Sequence, residues 1–235
     1  MQIEVRGERG EDSGDLLYLM GRGNHVGHAG DSWFVDELVT AGFRVHAVEL
    51  PTNGTDFDLE YRDPVQAYLD QTPITAVLGY SLGGLVAAHV ETAVPRVFVS
   101  PFWRLYGSHL RKWQRALFPR IPSSRQFIPT GERKEWCGHQ LTDSDCDARP
   151  DPVSPRFLKA MCDAQRSLPE LGPRDWLICS LGDIVVGLDG MDGRIPIERI
   201  RLFTGGHEPF AVESRNATTA MIVETLREEL HTSGV

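Results

Sequence analysis

Residues 74–84 read Ile74-Thr-Ala-Val-Leu-Gly79-Tyr-Ser81-Leu-Gly-Gly84. The apolar, β-branched run from Ile74 to Leu78 has the composition of a buried strand. Gly79-Tyr-Ser-Leu-Gly83 then fits G-x-S-x-G, and Leu85 to Val90 read as a helix packed on one face. Strand, tight turn and helix, with a serine at the apex, are the parts of a nucleophile elbow. The glycines relieve the clash that bulkier neighbours would make at so sharp a bend. The helix behind the serine points backbone N–H groups and its positive dipole end at any oxyanion formed there.

Working outward, the same alternation repeats. Leu16–Met20, Phe43–Leu50, Arg96–Ser100, Trp176–Ser180 and Arg199–Phe203 read as buried strands, and Ile3–Arg6 as a short edge strand. Between them, Asp31 or Ser32 caps a helix from about Trp33 to Ala41, which Gly42 closes. A second helix starts at Asp63/Pro64 and stops before Pro73, and a third runs from Ser154/Pro155 to about Arg166. A terminal helix spans Ser214/Arg215 to His231, with Ala217, Met221, Val223, Leu226 and Leu230 as its expected buried stripe. Strands alternating with helices predict an α/β fold: a mostly parallel sheet flanked on both faces. The pattern breaks over 101–155, which holds Phe102, Trp103, Tyr106, Trp113, Phe118, Phe127 and Trp136. Helical spacing over Trp103–Leu117 and a polar stretch from Glu132 to Pro152 suggest a cap or lid inserted in one domain spanning 1–235. Its aromatics either cover a pocket or fill a small core of their own.

A chain of 235 residues can bury the core of one such domain. The net charge of −9 argues against nucleic acid and anionic membrane surfaces as partners. The N-terminus shows no basic segment followed by an apolar one, and no run approaches a membrane span, so a cytoplasmic location is expected. Cys137, Cys146, Cys162 and Cys179 form no C-x-x-C pair. Cys179 reads as a core thiol, and a Cys137–Cys146 disulfide would be unusual in a reducing compartment. His25-x-x-His28 has no third metal ligand nearby and reads as a polar loop beside a pocket mouth.

In an open α/β sheet the reacting groups lie beyond the C-terminal ends of the strands. Ser81, Asp183 and His207 stand there, in that chain order. A serine hydroxyl needs a base within reach, and a histidine can take its proton and return it to a leaving group. Asp183 would fix the imidazole tautomer, although Asp189 and Asp192 in the same turn are alternatives. The Leu82 N–H supplies one oxyanion donor, and the Gly21-Arg22-Gly23 loop supplies the second, at Arg22.

On these residues the chain resembles the α/β-hydrolase fold over roughly 15–100 and 172–232. Gly79-Tyr-Ser-Leu-Gly-Gly84 resembles the elbow, Gly182-Asp-Ile-Val-Val186 the acid turn, and Gly206-His207 the histidine loop. Met20-Gly-Arg-Gly23 stands where many members carry His-Gly-x-Gly, with Met20 in place of the histidine. The excursion at 101–155 falls where the family inserts a variable cap. The resemblance implies a serine hydrolase acting on a small-molecule ester with a small to medium acyl group, through an acyl-enzyme and without cofactor or metal. Thioesters, lactones and amides stay open as substrates. So do a cofactor-free C–C hydrolase or lyase, a perhydrolase-like activity, and a non-catalytic ligand-binding module. The oligomeric state is not legible.

Overall fold

A computed structural model of the chain describes residues 1–9, 14–104, 114, 117–130, 152–186, 191 and 193–232. Seven strands are seen in it: β1 (Gln2–Arg6), β2 (Asp15–Leu19), β3 (Arg44–Glu49), β4 (Ala76–Tyr80), β5 (Arg96–Val99), β6 (Trp176–Ser180) and β7 (Ile200–Phe203). They form one sheet in the order β1-β3-β2-β4-β5-β6-β7, in which only the β1–β3 pair is antiparallel. The expected mostly parallel α/β sheet is therefore the observed one. The α-helices among the described residues are α1 (Ala29–Thr40), α2 (Asp63–Gln71), α3 (Leu82–His89), α4 (Pro155–Arg166) and α5 (Arg215–Thr232).

Side chains alternate across each strand, so the sheet divides the core in two. Leu17, Leu19, Val77, Phe98, Leu177 and Cys179 face one way and pack with apolar residues of α3 and α4. Leu16, Tyr18, Leu78, Val97, Val99 and Ile178 face the other and pack with Phe34 and Leu38 of α1 and Ile222 and Leu226 of α5. Both faces of the central strands are covered, which explains why β2, β4 and β5 read as unbroken apolar runs.

Three local expectations need correction. Helix α1 starts at Ala29, ahead of the residues expected to cap it, because Asp31 turns inward to accept a bond from Asn24 Nδ2 at 2.6 Å. Every residue of α3 from Leu82 to Ala88 is buried, not one face alone. It lies between the sheet and further chain, and Arg96 Nη1 satisfies its end through the carbonyls of Ala87, Ala88 and Val90 at 3.2–3.4 Å. On α5, Leu226 is buried and Met221, Val223 and Leu230 pack against the core as expected, but Ala217 is exposed, and Thr218, Thr219, Ile222, Thr225 and Glu229 are buried as well. Threonines can line that face because Thr218 and Thr225 return their hydroxyls to the carbonyls of Ser214 and Met221.

Of the 101–155 excursion, the expected helix over 103–117 and the polar stretch 132–152, with Cys137 and Cys146, lie largely outside the described residues. Within them, Ile128 pairs antiparallel with Val153, and Trp103 is buried against Phe98 with its Nε1–H on the Gly84 carbonyl at 3.2 Å. Trp103 thus belongs to the core of the sheet.

Candidate active site

The bend at Ser81 is real and strained. Its φ of 50° and ψ of −116° lie where a side-chain-bearing residue rarely sits, at a cost of about 1–3 kcal/mol. Bonds on both sides of the residue hold it there. The Ser81 N–H donates to Val99 O at 3.0 Å, and its carbonyl accepts from Gly84, Leu85 and Phe102. The flanking glycines are required by contact. A Cβ on Gly79 would stand 2.8 Å from atoms of Ala87, Gly83 and Gly84, and one on Gly83 only 2.0 Å from the Leu19 carbonyl oxygen. The elbow therefore presses α3 onto the end of β2, where the Met20–Gly23 loop begins.

Three side chains named from the sequence meet at these strand ends. Ser81 follows β4, Asp183 lies three residues past β6, and His207 lies four past β7. The Ser81 Oγ–His207 Nε2 distance is 2.8 Å, and the His207 Nδ1–Asp183 Oδ2 distance is 2.8 Å. All three residues are buried. Burial pushes the Asp183 carboxyl upward, but the His207 ring beside it and the amides of Val186 and Val185 outweigh that, leaving it below its ordinary value. An ionised carboxylate has only lone pairs, so Nδ1 of His207 carries the ring proton and Nε2 offers its lone pair to the Ser81 hydroxyl. Asp183 Oδ1 accepts the N–H groups of Val185 and Val186 at 2.8 and 3.1 Å, which fixes the carboxylate plane. The alternatives Asp189 and Asp192 lie outside the described residues.

Leu82 is the first residue of α3, so its N–H has no acceptor within the helix. Arg22 lies on the loop after β2. Its Nε donates to Thr52 O at 2.7 Å, and its guanidinium lies 5.4 Å from the centre of the Phe157 ring. Residues that the sequence did not single out brace this loop. Glu49, at the end of β3, takes the Val26 N–H on Oε1 at 2.9 Å and His25 Nδ1 on Oε2 at 2.8 Å. The His25 and His28 rings meet edge to face, 5.0 Å between centres. Among the described residues no group of three or more His, Cys, Asp or Glu side chains is arranged to hold a metal ion. Nor is any helix among them long and apolar enough to cross a membrane.

None of the curated proteins matches the chain. Solved structures do resemble it in fold. The monoacylglycerol lipase of Paleococcus ferrophilus superimposes with a TM-score of 0.74 at 19% identity, covering 97% of this chain and 98% of that one. A soluble variant of the monoglyceride lipase of Saccharomyces cerevisiae gives 0.71 at 13% identity, covering 97% and 91%. An esterase from Exiguobacterium antarcticum gives 0.66 at 15% identity, covering 96% and 94%. The profile of the Alpha/beta hydrolase family matches residues 21–220. With that span and this sheet, the chain belongs to the α/β hydrolase family.

Proposed function

We propose that the protein is a serine hydrolase that cleaves a small-molecule carboxylic ester, with a small to medium acyl group, through an acyl-enzyme. The observation that carries this reading is the unbroken chain of 2.8 Å contacts from the Ser81 hydroxyl through His207 to Asp183. As Ser81 Oγ attacks the ester carbonyl carbon, its proton passes to His207 Nε2, and Asp183 stabilises the imidazolium. The carbonyl oxygen takes up the negative charge and is held by the backbone N–H groups of Leu82 and Arg22. Collapse of the tetrahedral species breaks the bond to the leaving alcohol, which takes the proton from His207. Water then attacks the acyl-Ser81 ester with His207 as base, releasing the acid and restoring the hydroxyl.

The three structures similar in fold are two monoglyceride lipases and an esterase, which favours an ester over an amide. The chemistry calls for no metal or cofactor. Residues 101–155 are read as a cap for the acyl group, inserted within this one domain.

A fluorophosphonate probe tests the reading. Intact mass should show one adduct at Ser81, absent in Ser81→Ala, and p-nitrophenyl esters of graded length should then report the acyl preference. A thioester hydrolysed faster than its matched oxoester would move the substrate class to thioesters. A folded protein whose Ser81 stays unlabelled would favour a binding module.

A further inference from the structure

Asp183 and His207 are borne by different turns, and something must keep those turns in register. The histidine loop is poorly suited to do this alone. It follows a four-residue edge strand and contains Gly205-Gly206, with Gly205 at a φ of 149°. The link comes from Ser180, the buried last residue of β6. Its hydroxyl accepts the Gly182 N–H at 3.0 Å and donates to the Gly205 carbonyl. Gly182 directly precedes Asp183, and Gly205 lies two residues before His207. The backbones meet at the same point, since a Cβ on Gly182 would stand 2.7 Å from the Gly205 oxygen. The acid turn also closes on Ser180 itself, whose carbonyl accepts the Asp183 N–H at 3.3 Å. From the elbow side, the Tyr80 hydroxyl donates to the His207 carbonyl at 3.2 Å.

We infer that Ser180 is a positioning residue for the reaction: its hydroxyl couples the acid turn to the histidine loop and so holds Asp183 and His207 at bonding distance. The inference rests on the reading of Ser81, His207 and Asp183 as the reacting groups. It assigns to Ser180 no contact with substrate. Losing its hydroxyl leaves the Gly182 N–H and the Gly205 carbonyl without this bridge, and frees the two turns to separate.

Ser180→Ala in the full chain tests it, with Ser180→Cys as a second variant that keeps the volume but weakens both bonds. Four quantities are read: kcat and KM on a p-nitrophenyl ester, the rate of fluorophosphonate labelling, the far-downfield proton resonance of the His207–Asp183 bond, and Tm. Expected are kcat and labelling rates lowered about 10- to 100-fold in Ser180→Ala, as small misplacements of reacting groups produce. KM should stay near wild type, the downfield resonance should be lost or broadened, and Ser180→Cys should lie between. Wild-type turnover with an unchanged resonance overturns the inference. So does activity that falls only as far as the folded fraction falls. Failure of the underlying reading looks different, because the wild-type protein would then not label at Ser81 at all.

Discussion

Replacing Gly83 with alanine should damage the elbow more than any other one-carbon addition near it. The added Cβ would lie 2.0 Å from the Leu19 oxygen, 2.4 Å from the Leu19 carbonyl carbon and 2.8 Å from the Met20 oxygen. All three are backbone atoms of β2 and the residue after it, so no rotamer change relieves the contact. Restoring an ordinary separation of 3.4 Å takes about 1.4 Å of relative movement between α3 and β2. Leu82, the first residue of α3, and Arg22, three residues past the end of β2, are the proposed oxyanion donors, so the gap between them opens by a similar amount. Displacement on the order of 1 Å lowers turnover about 100-fold, and overpacking costs about 1–3 kcal/mol of stability. In a chain of this length that cost corresponds to a fall in Tm of roughly 2–12 °C. Gly27→Ala is the control, since its Cβ would meet nothing within 4 Å. Turnover of a p-nitrophenyl ester and thermal unfolding, followed in both variants, give the comparison. If Gly83→Ala kept the kcat and Tm of Gly27→Ala, the contact reasoning would be refuted.

Asp183→Asn should lower kcat by about three to four orders of magnitude with KM little changed, because the amide no longer selects the Nδ1–H tautomer. The pH dependence follows from the depressed carboxyl of Asp183, whose folded value lies below its ordinary 3.8. Its stabilisation is present above 3.8 and lost as pH falls through the folded value. Urea unfolding should therefore separate wild type from Asp183→Asn near pH 7, with the gap narrowing as pH falls below 3.8. Asp175→Ala should cost about 3–5 kcal/mol in chemical denaturation. It strands the buried Arg96 guanidinium, which Asp175 now holds by two bonds of 3.0 and 2.5 Å.

Much of this was legible in the residues alone, for physical reasons. Strands covered on both faces must be continuously apolar, so β2, β4, β5 and β6 declared themselves. Ser154 announced the start of α4, and its side chain does accept the Phe157 N–H at 3.1 Å. The residues expected to react were legible because strand ends are few and serine, aspartate and histidine seldom fall at three of them in this order. The braces were not. Glu49, Ser180 and the Tyr80 hydroxyl act on loops distant in sequence, and a polar residue at a strand end looks the same whether or not a partner arrives. Asp31 misled for the same reason: its side chain serves Asn24, a bond that pattern alone does not show. Thr218 and Thr225 on the buried face of α5 escaped an apolar count because their hydroxyls bond to carbonyls four residues earlier.

The sheet order places Ser81 directly after a strand hydrogen-bonded on both sides, while His207 depends on β7, four residues at the margin of the described sheet with one neighbour there. Marginal strands fray first, and the free energy of such partial opening lies below that of the whole molecule. Under mild denaturant the base should thus part from a hydroxyl whose own scaffold is still intact. Turnover would fade at lower urea than tryptophan fluorescence, and the enzyme would be silenced by a rim that lets go before the centre does.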